Sequence, residues 1–243
     1  MNTSELAQFL SWDSEFFGKR IGRIQADHLT LEGLAGVLAW QQEQAVDCLY
    51  FLADPNLPDS LRLAEANGFH LVDLRVTLES SGELPQSLPA GVRPWQPRDR
   101  DALRAIARIS HRDSRFYFDG HFSTERCDAL YETWIDKSLD GYADAALVAD
   151  VDGCAAGYIT CHRDPQEGRI GLVAVHPDFQ GRALGQALVK AALAWAGGEG
   201  FRKVSVVTQG RNTAAQRLYQ RCGFLTRSVA LWYHWWNELQ DRE

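Results

Sequence analysis

The stretch QGRALG, which begins at Gln180, places two glycines and an alanine between an apolar run and a helical pattern. The first N–H groups of a helix are unpaired and lie at the positive end of the helix dipole, so they attract phosphate. Gly181, Ala183 and Gly185 would let a phosphate approach the backbone, and Gln180 and Arg182 could add polar contacts. The stretch indicates a phosphate site, although a tight strand–helix turn without a ligand uses similar residues.

A second pair of candidate residues lies in the helical pattern NTAAQRLYQRCGF. Asn212 and Tyr219 are seven residues apart, which places them on one face of a helix, about 10 Å from each other along its axis. A phenol with a pKa near 10 is neutral at pH 7 and can give a proton to a departing anion. The alternative is that Tyr219 is an aromatic residue of the core.

The elements around these residues predict an α/β domain with a mixed sheet. Two helical patterns, PRDRDALRAIARISH and STERCDALYETWIDKSL, precede the strands DAALVAD, AAGYITCH and IGLVAV, and a turn signal joins the first two strands. Pro177 can end the pairing of the third strand just before the glycine-containing turn. A helix, the strand KVSVVTQ, the helix of Tyr219 and the aromatic strand LTRSVALWYHWW complete the pattern.

A stretch rich in Ser, Gly and Pro, SSGELPQSLPAGVRPW, predicts a linker and hence two domains, residues 1–88 and 89–243. The first domain is a smaller α/β unit. Its end, LAEANGFHLVDLRVTL, overlays the later segment LYQRCGFLTRSVALW, with Ala64 at the place of Tyr219. The smaller unit is therefore either a degenerate repeat of the second domain or a coincidence, because helix–Gly–strand segments are common.

Composition narrows the function classes. The net charge is −7 without a basic stripe, so nucleic acid is a poor electrostatic partner. No apolar run approaches a membrane span, and the amino terminus lacks a signal-peptide pattern, so a cytoplasmic protein that does not enter the membrane is expected. The five cysteines form no CxxC pair and the histidines lack ligand spacing, so no metal site is predicted.

Together, the turn, the Asn–Tyr helix and the aromatic last strand resemble the GNAT superfamily of acyl-CoA-dependent N-acyltransferases, over about residues 92–236. In that family a (Gln/Arg)-x-x-Gly-x-(Gly/Ala) loop binds the CoA pyrophosphate. QGRALG matches it with Ala183 in place of the central glycine, and Leu184 inside the loop. Alanine tolerates ordinary helical angles, so we expect reduced room and retained binding. The resemblance implies the GNAT fold and acetyl-CoA as donor.

The resemblance also implies roles for residues outside the turn. The backbone of Val173, Ala174 and Val175 would pair with the pantetheine arm of CoA and polarise the thioester carbonyl. The side chain of Asn212 would bond a pantetheine amide, and Tyr219 would protonate the CoA sulfur during direct transfer in a ternary complex.

The segment SHRDSRFYFDGHFS is expected to shape the acceptor pocket. Phe116, Tyr117 and Phe118 could stack on a base or cover a sugar, and Arg112 and Arg115 could pair with phosphates. The alternative is a solvated loop with buried aromatic residues. The stretches SWDSEFFGKRIGRI, GFHLVDLRVTLE, DSRFYFD, YETWIDKS and GRNTAAQRLYQRCGF are spread over nearly the whole chain. Together they resemble two-domain family members that acetylate a TDP-linked amino sugar, and this resemblance implies that kind of acceptor.

Several alternatives stay open at this point. The acceptor could be a peptide or a small metabolite amine, and a third reading is a non-catalytic module that binds acyl-CoA. His162, Asp164 and His176 lie near the strand that should flank the amine and are candidate bases, although the simpler interpretation of each is an ordinary surface or turn residue. The aromatic strand at the end of the chain suggests a homodimer.

Overall fold

The computed structural model describes residues 6–237. The strands are β1 Ala7–Phe9, β2 Ile21–Ile24, β3 Cys48–Ala53, β4 Phe69–Ser81, β5 Val92–Pro94, β6 Ala145–Val151, β7 Cys154–Arg163, β8 Gly168–Val175, β9 Lys203–Gln209 and β10 Leu225–Trp236. The helices are α1 Ser11–Phe17, α2 Leu31–Glu43, α3 Pro58–Ala66, α4 Arg100–Ile109, α5 Arg115–Asp119, α6 Thr124–Lys137, α7 Leu184–Gly198 and α8 Thr213–Arg221.

These elements form two compact units. The first unit comprises the residues up to Arg75, Arg115–Phe122 and the residues from Val229 onward, whereas the second comprises Val76–Ser114 and Ser123–Ser228. Strands β4 and β10 contribute residues to both units, and α5 belongs to the first unit although it follows α4 in sequence. The predicted boundary after residue 88 stays a prediction.

The first unit contains a mixed sheet. Strand β2 pairs antiparallel with β1 and parallel with β3, and β3 pairs antiparallel with β10. Helix α2 is capped by Thr30, whose hydroxyl accepts a hydrogen bond from the N–H of Gly33, as expected for a helix start. Apolar residues of α2, α3 and the sheet, among them Val37 and Phe51, form one buried cluster.

The second unit is also a mixed sheet. Strands β5, β6, β7 and β8 form an antiparallel meander, and β9 pairs parallel with β8. Helix α7 buries an alanine- and leucine-rich face, including Leu188 and Ala192, in the cluster that contains Ile159 and Val206. The predicted α/β class with a mixed sheet is confirmed.

The sequence patterns missed four short elements: β1, α1, β5 and α5. Strand β5 lies inside the stretch predicted as a linker, and α5 lies inside the segment expected to shape the acceptor pocket. Strands of three residues and helices of five to seven are shorter than the windows in which hydrophobic periodicity is measurable. Among the described residues no helix is long and apolar enough for a membrane span.

Candidate active site

The predicted glycine-containing turn connects β8 to α7. A short 3-10 turn, Pro177–Phe179, follows the end of β8, and the chain then passes Gly181 at φ +77° before α7 starts at Leu184. The first N–H groups of α7 have no partner within the helix, as at every helix start. The turn therefore presents the donors that a phosphate requires.

Gly181 and Gly185 are needed for different reasons. Gly181 has a left-handed backbone conformation, and a Cβ there would meet no heavy atom within 4 Å. A Cβ at Gly185 would lie 3.2 Å from Cδ2 of Leu218, a residue of α8. Gly181 therefore permits the turn, and Gly185 permits the close approach of two helices.

Ala183 differs from expectation. In place of the ordinary helical angles that alanine tolerates, this residue before α7 has φ +58° and ψ +12°. A left-handed conformation costs a non-glycine residue about 1–2 kcal/mol, so the alanine is held in strain at this position. The central position of the turn requires the geometry that a glycine adopts freely.

An open cavity of about 560 Å³ lies at this turn, within the second unit. Eight residues predicted to bind acetyl-CoA line it: Val173, Ala174, Val175, Gln180, Gly181, Ala183, Leu184 and Gly185. Arg182 is not among the lining residues, and its guanidinium carbon lies 5.3 Å from the ring centroid of Phe179. The strand end and the turn thus share one cavity.

The strand edge beside this cavity is open. Strand β8 pairs with β9 only from Gly168 to Ile170, so residues 171–175 diverge from that neighbour. The N–H of His176 donates to the carbonyl of Ala156 on β7, at 2.9 Å. Because peptide groups alternate along a strand, the peptide groups of Val173 and Val175 point away from β7. An extended ligand could pair with them as a strand does.

Asn212 acts as a helix cap in the structure. Its Oδ1 accepts a hydrogen bond from the N–H of Ala215 at 2.9 Å, and α8 begins at the next residue. A cap of this kind stabilises a helix by about 1 kcal/mol. Asn212 is not among the residues that line the cavity, so its contact with pantetheine stays a prediction.

Tyr219 lies in the interior of the second unit. Its side chain is 3% exposed, its ring centroid lies 5.8 Å from that of Phe224, and it does not line the cavity. Burial raises the pKa of the Tyr219 hydroxyl well above its usual value, so the phenol keeps its proton at neutral pH. A general acid must carry its proton, and the Tyr219 hydroxyl does. Neighbouring residues, however, cover the side chain of Tyr219.

Sequence reasoning missed one cation of the cavity, Arg221. It is exposed in the last turn of α8 and lines the cavity together with Leu218, which stands three residues earlier on the same helix face. That spacing was readable in the sequence. An arginine at this wall favours an anionic ligand.

The four predicted acceptor residues are not held together in one unit. Arg112 belongs to the second unit, where its Nη2 lies 3.2 Å from Oδ1 of Asp128. Arg115, Phe116 and Tyr117 belong to α5 of the first unit, and Phe116 is 2% exposed there. The Phe116 ring packs against those of Phe17 and Phe122, so it is part of an aromatic core.

The three candidate bases have protein partners. His162 is 6% exposed, and burial lowers its pKa, so it is neutral at pH 7. Asp164 pairs with Arg169 at 3.0 Å, and Nδ1 of His176 accepts a hydrogen bond from the N–H of Asp178 at 3.2 Å. No group of three or more metal-ligating side chains that could hold an ion occurs between residues 6 and 237.

The comparisons with known proteins agree on one family. Residues 103–224 match the Acetyltransferase (GNAT) family. The chain is 30% identical to a dTDP-fucosamine acetyltransferase of Escherichia coli, over 93% of this chain and 96% of that protein. It is 31% identical to the spore coat polysaccharide biosynthesis protein SpsD of Bacillus subtilis, over 59% of this chain. That match spans half of the Bacillus protein's length.

Solved structures agree with the fold. The crystal structure of a GCN5-related N-acetyltransferase from Sphaerobacter thermophilus superimposes with a TM-score of 0.64, at 18% sequence identity, over 94% of this chain and 75% of that one. At this identity the likeness concerns the fold alone.

Proposed function

Because this chain belongs to the GNAT family and is an acetyl-CoA-dependent N-acetyltransferase, we propose that it acetylates the amine of a TDP-linked amino sugar. The use of acetyl-CoA as the donor is supported by one observation, the cavity that the open end of β8 shares with the start of α7. The amino-sugar acceptor is supported by the similarity to a dTDP-fucosamine acetyltransferase, which extends over nearly the full length of both chains.

Different residues of the cavity would bind different parts of acetyl-CoA. The N–H groups from Gly181 to Gly185, with Arg221 at the wall, would bind the CoA diphosphate. The peptide groups of Val173 and Val175 would pair with the pantetheine arm, and an N–H there would stabilise the oxyanion that forms at the thioester carbonyl. When bound, acetyl-CoA supplies the acetyl group as a thioester.

Transfer is direct, without an acyl-enzyme. The lone pair of the amine attacks the carbonyl carbon, a C–N bond forms and the C–S bond breaks. Tyr219 gives its proton to the departing sulfur and regains one from the ammonium group through water, so charges and protons balance. Holding both substrates together removes much of the entropic barrier.

A thiol-release assay tests the proposal. The purified chain is incubated with acetyl-CoA and one of three amines: a TDP-linked 4-amino-4,6-dideoxyhexose, a polyamine or a basic peptide. The proposal expects kcat/KM for the sugar nucleotide to exceed that for the other two by about 100-fold or more, the discrimination that several charge-assisted contacts supply. A preference for the peptide or polyamine would overturn the proposed acceptor.

The same assay, combined with calorimetry, tests the alternative that the chain is a non-catalytic module that binds acyl-CoA. If calorimetry shows acetyl-CoA binding but no amine releases thiol above the hydrolysis rate, the chain is a binding module and the proposed transfer is wrong. The predicted cytoplasmic location and the predicted homodimer stay predictions.

A further inference from the structure

One face of the first unit's sheet carries a row of polar side chains. Arg23 of β2 pairs with Tyr50 of β3, and Tyr50 pairs with His234 of β10. Residues directly opposite each other across a sheet project to the same face, so these three side chains share it. Trp232 lies two residues before His234 and therefore projects to this face as well.

Two guanidinium groups contact the indole ring of Trp232. The guanidinium carbon of Arg115 lies 4.3 Å from the ring centroid, and that of Arg23 lies 5.5 Å away. Burial and the neighbouring charge of Arg115 lower the pKa of Arg23, as expected for two cations that lie close together. Between residues 6 and 237 neither arginine forms an ion pair with a carboxylate, whereas Arg62 of the same unit pairs with Asp59 at 2.9 Å.

The aromatic contacts hold Arg115 in place. Its guanidinium carbon also lies 4.3 Å from the ring centroid of Phe116 and 5.1 Å from that of Tyr50. Cation–π contacts of this kind fix the plane of the guanidinium without neutralising its charge. Arg115 is therefore a pre-oriented donor that keeps its affinity for an anion.

Three polar atoms beside these cations are buried without a hydrogen-bond partner among the described residues: Nε of Arg115, Oη of Tyr50 and Nε2 of His234. Tyr50 is 1% exposed and His234 is fully buried, and their ring centroids lie 4.5 Å apart. A buried polar atom without a partner costs about 1–3 kcal/mol, so three in one cluster indicate that the cluster is built to bind something polar.

Asp119, the carboxylate that contacts His234, forms no ion pair with either arginine. Asp119 accepts hydrogen bonds from Nδ1 of His234, from Nδ1 of His121 at 2.8 Å and from Nε1 of Trp236 at 3.0 Å. Its two oxygens are thus engaged with ring nitrogens. Asp119 therefore orients His234 and does not pair with Arg23 or Arg115.

We propose that Arg23 and Arg115, on either side of Trp232, form a site that binds the phosphate or diphosphate group of a small molecule. Guanidinium groups match phosphate oxygens with two parallel hydrogen bonds, and Arg115 presents its fork already oriented. Every residue of this Arg23–Arg115 site belongs to the first unit, whereas every residue of the acetyl-CoA cavity belongs to the second. The inference thus goes beyond the donor site and assigns a ligand to the smaller unit.

Calorimetric titration of the full chain tests the site, with thymidine diphosphate and inorganic pyrophosphate as probes. We expect saturable binding of one probe molecule per chain, weakened about tenfold or more by Arg23→Gln and by Arg115→Lys, which keeps the charge but lacks the fork. Arg62→Gln removes one exposed cation from the same unit and is expected to leave the affinity within about twofold of wild type.

The inference is overturned by an absence of saturable binding, by unchanged affinity in Arg23→Gln, or by an equal loss in Arg62→Gln, which would mean a general charge effect. Because Arg115 is partly buried, the thermal unfolding midpoint and acetyl-CoA affinity of Arg115→Lys are measured alongside. A folded Arg115→Lys variant that binds the probes as wild type does would also contradict the site.

Steady-state kinetics distinguish a phosphate that belongs to the amine acceptor from one that belongs to a separate effector. If thymidine diphosphate raises the KM of the amine acceptor and leaves kcat unchanged, the phosphate belongs to the acceptor. If it changes kcat alone, the ligand is a separate effector bound at the same residues. The titration does not depend on the proposed transfer reaction, so either conclusion can fail without the other.

Discussion

Ile170 and Val206 form the last parallel pair between β8 and β9. Beyond this pair the two strands separate, and the peptide groups of Val173 and Val175 are released from strand pairing on that side. The start of α7 lies at the same opening, because the residues of the turn and the end of β8 line one cavity. Separation of the strands and the start of the helix thus create one site for a long ligand with an anionic end.

Replacement of Tyr219 by Phe removes the hydroxyl and keeps the ring. Because the ring packs in the core near Phe224, we expect the fold and the acetyl-CoA affinity to persist, while kcat falls about 100-fold, as is typical for loss of a general acid. Steady-state kinetics with the preferred amine, and calorimetry with acetyl-CoA, provide the two readings. An unchanged kcat would remove Tyr219 from the mechanism.

Arg221→Gln tests the cation that sequence reasoning missed. We expect the affinity for acetyl-CoA to fall about tenfold or more at low salt, and the difference from wild type to shrink as salt increases. Arg217→Gln is the matched control, since Arg217 is exposed on the same helix and does not line the cavity. Equal losses in the two variants would show that only the net charge matters.

Gly185→Val places a branched side chain against Leu218 at the cavity wall. We expect the dissociation constant of acetyl-CoA to rise about tenfold or more and the KM of the amine to stay unchanged. Leu218→Ala in the same chain supplies room and is expected to recover part of the affinity. A change in the amine KM alone would mean that the turn does not bind acetyl-CoA.

Ala183→Gly relieves the left-handed strain before α7. The relief of about 1–2 kcal/mol is partly offset by the greater freedom of glycine in the unfolded chain, so we expect a gain of up to about 1 kcal/mol in unfolding free energy. The matched control is Ala187→Gly inside α7, which should destabilise by about 1 kcal/mol. Urea unfolding measures both, and a loss of stability in Ala183→Gly would refute the strain.

His162 links stability to pH. Burial lowers its folded-state pKa below the unfolded value near 6.5, so below pH 6.5 the unfolded chain binds a proton that the folded chain excludes. Its contribution is therefore complete above pH 6.5 and is lost as the pH falls toward the folded-state pKa, by up to about 1.4 kcal/mol per pH unit. His162→Gln should flatten this decline, and the exposed His70→Gln should not. Urea unfolding from pH 7.5 to 5 measures it; equal slopes in all three proteins would contradict the assignment.

The sequence predicted the elements that build the donor cavity, because their patterns are long and their ends carry local signals. Ser123 and Asn212 cap α6 and α8 through the hydrogen bonds that such residues form. Gly68 and Gly223, at φ +81° and +87°, each follow a helix and precede a strand, as the two similar segments suggested. Whether those segments derive from one repeat stays a prediction.

Other features depend on tertiary packing and were not readable. The left-handed angle of Ala183 follows from the path between β8 and α7, not from alanine's own preference. The ion pair of Arg112 with Asp128 joins residues on different elements, and the burial of Tyr219 depends on how α8 packs. The contact of Arg23 with Trp232 joins residues far apart in sequence, so no local sequence pattern predicts it.

A crystal structure of the chain with acetyl-CoA would show whether the turn binds the diphosphate, through the distances from the diphosphate oxygens to the N–H groups of residues 181–185. We expect several N–H···O distances of about 2.7–3.2 Å there, with the thioester beside Val173 and Val175. A diphosphate bound elsewhere, with the turn contacting only protein, would contradict this expectation.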